Sequence, residues 1–178
     1  MFPYSNKRLL KCTIVIEIES PIPNVVEASA TKAVGVRALM LDCDGQVLVV
    51  KPVAKPGWQL PGGGTEKWES PSDAWKREVK EELGLNLVPV AFLGAEYDSS
   101  ENYEGIHFVF FGGRLAPSDR EAIVLPPNEL SEHRWVALDE AVTLLATHRP
   151  GLALRLPTYF ATVETRQPPY FENDARSM

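Results

Sequence analysis

Between residues 13 and 19, Ile14, Ile16 and Ile18 fall on one face and Thr13, Val15 and Glu17 on the other, the alternation of a strand. Pro21 and Pro23 then break the chain, and 20–32 reads as a linker. Apolar, β-rich runs at Ala33 to Leu41 and Gln46 to Val50 predict two further strands. Asp42-Cys43-Asp44-Gly45 joins them with the Asp-Gly signal of a hairpin turn. The two aspartates lack the remaining ligand spacing of a calcium loop, so they read as turn residues. From residue 70 the period changes. Ser70-Pro71-Ser72-Asp73 supplies an N-cap, a proline at the first helical position and an acid in the first turn. Gly84 sits where a helix ends in a left-handed residue. Trp75, Val79 and Leu83 recur every fourth position, so a helix over 71–83 turns one apolar stripe towards a sheet.

Beyond it, strands are predicted at 88–97 and 106–112, then a loop rich in Pro, Ser and Asp to about residue 130. His133 to Val136 forms a short strand, and Leu138-Asp139-Glu140 opens a helix to about 148, closed by Pro150-Gly151. A second helix over 152–165 meets Pro157 early, and the tail from Gln167 reads as irregular. The chain divides into an N-terminal strand and linker (1–32), a main domain (33–166) and a tail (167–178).

Composition adds limits. With 44% hydrophobic and 24% charged residues the chain reads as soluble and globular, and no apolar run approaches a membrane span. The N-terminus lacks the long apolar stretch of a secretory signal. Cys12 and Cys43 have neither metal-site spacing nor the look of a disulfide framework, which fits a reducing cytoplasm. A net charge of −6 without a basic cluster argues against a nucleic acid polymer as partner.

Candidate chemistry concentrates on the 71–83 helix. Glu78 and Glu82 are four apart and Glu81 is three from Glu78, so three carboxylates share one flank, separate from the apolar stripe. Like charges so placed cost about 0.2–0.5 kcal/mol per pair in an isolated helix. A hard divalent cation such as Mg²⁺ or Mn²⁺ reverses that sign, because oxygen clusters suit it. The preceding loop, Leu60-Pro61-Gly62-Gly63-Gly64, lets backbone approach metal and phosphates closely.

Taken together, Gly63, Glu69, Arg77-Glu78-Val79, Glu81-Glu82 and Gly84-Leu85 stand at fixed spacings that resemble the signature of the Nudix hydrolases. In that signature a Gly, five residues, a Glu and seven residues lead to Arg-Glu, an aliphatic, any residue, Glu-Glu, any residue, Gly and an aliphatic. Every constrained position is filled. The resemblance covers about 33–148 and implies an α/β/α sandwich, a mixed sheet between helices. It also implies that a backbone carbonyl near Gly62 joins Glu78, Glu81 and Glu82 as metal ligands. Arg77 then orients a box carboxylate with Glu69 in support. One departure is Trp68, at a position where the family commonly has a small residue; no ligand is lost by it.

Nudix enzymes often take a further ligand or a general base from a loop downstream. The acids available are Glu121, Glu129 and Glu132; Glu132, just before the strand that holds Trp135, is preferred over Glu129. Trp58, Tyr97 and Tyr103 are candidates to stack on a base, although aromatics are more often core. Trp58 adjoins the glycine loop. Tyr103 lies roughly where some dinucleoside-polyphosphate Nudix enzymes carry a tyrosine. Arg37 can reach a terminal phosphate from the first hairpin strand, but an outward-facing arginine is the commoner state on a strand. No role falls to His107, His133 or His148.

The expected function is metal-dependent hydrolysis of the diphosphate bond in a nucleoside diphosphate linked to another group. Two or more Mg²⁺ would be held by the box carboxylates, with Glu81, Glu82, Arg77 and Glu132 catalytic and Trp58, Arg37 and Tyr103 contacting substrate. The alternatives are a Nudix-fold sensor that binds a nucleotide without cleaving it, and an isoprenoid-diphosphate isomerase. The isomerase would want a reactive cysteine, for which Cys43 in a turn is ill placed.

The isoleucine face of residues 13–19 needs cover, and a strand on a long tether can supply it by pairing with a second copy. A homodimer is therefore expected, with this segment in its interface. Light scattering should return twice the chain mass for the full chain and a monomer for a chain starting at Thr31. A full-length monomer at micromolar concentration refutes the dimer. A dimer that survives truncation removes the segment from the interface.

Overall fold

A computed structural model describes residues 31–100 and 103–174. The predicted strand at 13–19 and its proposed interface lie outside the described residues. The rest runs β1 (Ala33–Asp42), β2 (Val47–Pro52), α1 (Pro71–Leu83), β3 (Ala91–Ser100), β4 (Tyr103–Leu115), α2 (Pro117–Glu121), β5 (Leu130–Val136), α3 (Leu138–Ala146), α4 (Pro150–Thr165) and β6 (Tyr170–Asp174). The strands form one mixed sheet in the order β5-β2-β1-β4-β3-β6. β1 is parallel to β4 and β3 to β6, and the other pairs are antiparallel.

Side-chain alternation along the central strands divides the core in two. Val36, Ala38, Met40, Leu48 and Val50 meet Trp75, Val79 and Leu83 of α1 on one face. Leu39, Leu41, Val47, Val49, Val109 and Phe111 meet Leu145, Leu152, Leu156 and Tyr159 of α3 and α4 on the other. The result is the α/β/α sandwich that the resemblance implied. The hairpin turn is built as predicted. Asp42 is fully buried, and its Oδ1 accepts the N–H groups of Asp44 at 2.9 Å and Gln46 at 2.8 Å. Its Oδ2 takes Arg120 at 2.8 Å, which leaves no calcium role for it.

Three departures have physical causes. The 113–130 loop contains the short helix α2, whose first turn is closed by Asp119 accepting the Ala116 N–H at 3.1 Å. α4 starts earlier than predicted and runs through Pro157, because Leu152, Ala153, Leu156 and Tyr159 are buried against the sheet and outweigh the lost backbone bond. The tail, expected to be irregular, adds β6 to the open edge of β3. Phe171 packs edge-on against Tyr159 with ring centroids 5.6 Å apart, and the Ala95 N–H reaches Pro169 O at 3.2 Å. This closeness depends on Gly94, at φ 155°, where an added Cβ would stand 2.6 Å from Pro169 O.

Trp75 fastens α1 to the sheet. It is fully buried, and its indole N–H has no partner among the described residues. Trp75→Ala should cost about 3–5 kcal/mol in denaturant unfolding. Trp75→Phe should cost clearly less, because it deletes an unsatisfied donor along with the lost volume. Equal losses in the two variants would show that the indole N–H is satisfied after all.

Candidate active site

Ser70 caps α1 as predicted: its hydroxyl accepts the Asp73 N–H at 3.2 Å, and Gly84 closes the helix at φ 74°. The helix so placed points Glu78 and Glu82 at the glycine loop, while the exposed Glu81 turns to Arg77. That loop is stitched to β1 by Val36 N–H to Gly63 O and Ala38 N–H to Pro61 O, both 2.8 Å, and by Thr65 N–H to Val34 O at 2.9 Å. Gly62 has φ 133°, and a Cβ there would collide with Val36 O. At Gly63 an added Cβ would stand 2.5 Å from Glu78 Oε1. Loop and helix can therefore meet only through glycines.

Arg77 organises the acids. Its Nε and Nη2 bind the two oxygens of Glu69 at 2.9 Å each, a bidentate pair. Nη1 donates to Glu78 at 2.7 Å and Glu81 at 3.0 Å, and Nη2 also donates to Gly64 O at 2.8 Å. Glu69 further accepts the Glu66 N–H at 2.9 Å. Arg77 holds the Glu69 carboxyl below its usual range. Burial pushes Glu78 up, although Arg77 pulls the other way. Glu82 is 7% exposed and accepts the Gly62 N–H at 2.7 Å. Burial raises it to about 8, with the nearby charges of Glu78 and Glu129 adding to the shift.

The residues fit a hard divalent cation. The donors are carboxylates, two of them carry a burial penalty that a cation offsets, and Gly63 lets the loop backbone come close against the Glu78 carboxylate. Among the described residues no three acidic, histidine or cysteine side chains stand close enough together to hold a metal ion as they are placed. Arg77 and the Gly62 N–H engage the carboxylates instead.

On the opposite face of the sheet a chamber opens. Arg37 is 6% exposed and faces into it. The expectation of an outward-facing arginine fails because β1 is central, with helices over both faces. Tyr103 lines the chamber and bonds His107 Nε2 at 2.8 Å, with the two rings stacked 6.1 Å apart. Trp58 is 7% exposed in the core, with Lys51 and Arg134 over its ring at 5.9 and 4.7 Å, so packing claims it. Glu132 bonds Arg134 at 2.7 Å, whereas Glu129 is the downstream acid whose charge acts on Glu82. Trp68 is 93% exposed at φ 68°, a left-handed position that explains why a small residue suits it better.

Sequence reasoning missed His107, Arg149, Glu96 and Asp98, all in the chamber. No local spacing marks them; their one signal was that Glu96, Asp98 and His107 are polar residues within strands and that Arg149 directly precedes a helix. Glu96 and Arg155 form a buried pair at 2.7 Å, and Arg155 also reaches Asp98 at 3.3 Å.

A mixed sheet between helices, with an acidic helix tied to a glycine loop, defines the class of protein. A family model described as NUDIX domain matches residues 31–159, and the chain belongs to the Nudix hydrolase family. The RNA pyrophosphohydrolase of Rhodospirillum rubrum is 28% identical over 142 residues, which span 71% of this chain and 85% of that protein. The RNA pyrophosphohydrolase of Halorhodospira halophila is 46% identical over 52 residues, only 29% of either chain. The solved MutT protein of Methanosarcina mazei Go1 is similar with a TM-score of 0.63 at 25% identity, over 76% of this chain and 99% of that one. Among the described residues no helix is long and apolar enough to cross a membrane.

Burial and the Arg37 charge lower the His107 imidazole from 6.5 to about 4. As pH falls, the unfolded chain takes this proton first. The contribution to stability is thus complete above about pH 6.5 and is lost as pH falls towards about 4. Urea unfolding of wild type and His107→Gln across this window should diverge by about 1–3 kcal/mol, with the variant showing the flatter profile. Parallel profiles would place His107 in solvent.

Proposed function

We propose that this chain hydrolyses the diphosphate bond of a nucleoside diphosphate linked to another group, using Mg²⁺ or Mn²⁺ held by Glu78, Glu81, Glu82 and the Gly62 carbonyl. The observation that carries this reading is the Glu82–Gly62 hydrogen bond at 2.7 Å, which joins the acidic helix to a loop that borders the chamber. Held by these residues, the cation would supply Lewis acidity to the phosphoryl group and to the attacking water. Arg77 keeps Glu69, Glu78 and Glu81 on one flank of α1, within reach of a common cation. Water oxygen bonds to phosphorus, the anhydride P–O bond breaks, and the water proton passes to a carboxylate. Glu129 is the better downstream candidate for that proton, since its charge already acts on Glu82 while Glu132 is engaged by Arg134. Arg37 and Tyr103 border the glycine loop and contact the phosphates or the nucleoside.

The relatives named RNA pyrophosphohydrolase support a phosphoanhydride substrate, and they lend no support to excluding nucleic acid ends. A sensor that binds without cleaving would release no phosphate.

The test is a panel of nucleoside triphosphates, ADP-ribose, dinucleoside polyphosphates, nucleotide sugars and CoA, each with Mg²⁺ or Mn²⁺ and read as released phosphate. At least one should be turned over. Glu81→Gln and Glu82→Gln should each lose about 10²–10⁴-fold in turnover with thermal unfolding retained. Wild-type rates in both variants would remove these carboxylates from the chemistry.

A further inference from the structure

The chamber behind the glycine loop contains buried positive charge that no carboxylate among the described residues contacts directly; Glu96 and Glu82 act on Arg37 only through their charge. Arg37 makes no ion pair among the described residues, and the hydrogen bond found for it is a 3.3 Å contact to the carbonyl of its own neighbour, Val36. An ionised guanidinium in such a place is costly unless something pairs with it. Arg149 and His107 also project into this space, and Arg149 Nε and His107 Nδ1 are buried without a hydrogen bond. The two acids of the chamber, Glu96 and Asp98, both bind Arg155.

Arg149 is moreover the residue before α4. No side chain caps that 16-residue helix, its first turn has no acid, and Pro150, Gly151 and Leu152 of that turn line the same cavity of about 310 Å³. The free N–H groups and positive end of the helix thus face the space into which Arg37 points. Arg37, Arg149, Tyr103 and His107 also line the cavity along Gly62–Gly64, so the two spaces adjoin and share these side chains as a wall. One thickness of backbone separates the subsite from the box: Gly62 donates to Glu82 at 2.7 Å, and a Cβ on Gly62 would stand 3.1 Å from Arg37 Cα.

We propose that Arg37, Arg149 and the N-terminus of α4 form an anion subsite for a phosphoryl group of the substrate beyond the anhydride held at the box helix. This rests on the hydrolase reading above and narrows it. The preferred substrates are phosphoanhydrides with a further phosphate, such as triphosphates, over diphosphates whose second group is neutral.

Inorganic pyrophosphate titrated calorimetrically into the full chain in EDTA tests the subsite without metal or turnover. Wild type and Glu81→Gln should bind it alike, and Arg37→Met and Arg149→Met should each bind about 10–100-fold more weakly. Arg37→Lys should retain part of the affinity. Ligand-free Arg37→Met should melt at or above wild type, because an unpaired buried charge is gone; if it fails to fold, Arg149→Met decides. No wild-type binding, or unchanged binding in both arginine variants, overturns the subsite. The ratio of kcat/KM for ATP over ADP-ribose should fall at least about tenfold in Arg149→Met. An unchanged ratio overturns the substrate preference. Pyrophosphate binding that is lost in the arginine variants, in a protein that hydrolyses nothing, leaves the subsite standing and removes the hydrolase reading.

Discussion

The edge of β1 is the constraint on which both sides of the site depend. β1 and β2 come into register near the hairpin turn, at Leu41 and Val47, and the N–H groups of Val36 and Ala38 are taken by Gly63 and Pro61. Backbone groups of a central strand must be satisfied. The glycine loop does this here in place of a neighbouring strand, and Gly35 and Gly64 form an antiparallel bridge within it. The loop is therefore as fixed as the sheet. Its Gly62 N–H reaches Glu82 on one face of the sheet, and Arg37 and His107 border it on the other.

That arrangement places two opposite electrostatic problems back to back. On the α1 face, carboxylates crowd together and two of them are pushed up by burial. Arg77 relieves part of this by binding Glu69, Glu78 and Glu81. On the α4 face, Arg37 is depressed by burial and by the neighbouring charge of Arg149. Excess negative charge on one side and excess positive charge on the other is unfavourable for each face alone. The proposed polyanionic substrate together with a cation would resolve both and would tie ligand binding to the stability of the folded state.

The acidic helix α1 was legible because its determinants are local. Ser70, Pro71, Asp73 and Gly84 act within one turn of themselves, and the Trp75, Val79, Leu83 stripe needs only the helical period. The hairpin at Asp42–Gly45 was legible for the same reason. β6 was not. Tyr170 and Phe171 have no alternation long enough to mark a strand, and they pair because β3 offers an open edge beside Tyr159. The surroundings of Trp58 and Glu132 were hidden on a similar ground: proximity in sequence to a loop or strand says nothing about which groups engage a side chain once the sheet closes, here Arg134 in both cases.

Sequence alone determined the fold class, the family and the acidic flank of α1, since each follows from spacing within about two dozen residues. Tertiary structure decided the chamber half of the candidate site. Arg37, Tyr103, His107 and Arg149 lie on β1, β4 and the start of α4, far apart in the chain. Gly35 and Glu96 become the partners of His107 only through strand register. Whether Arg37 faced water or a chamber depended on which strands flanked β1 and which helix covered it. Those are choices made by the packing of the whole domain, and no local pattern encodes them.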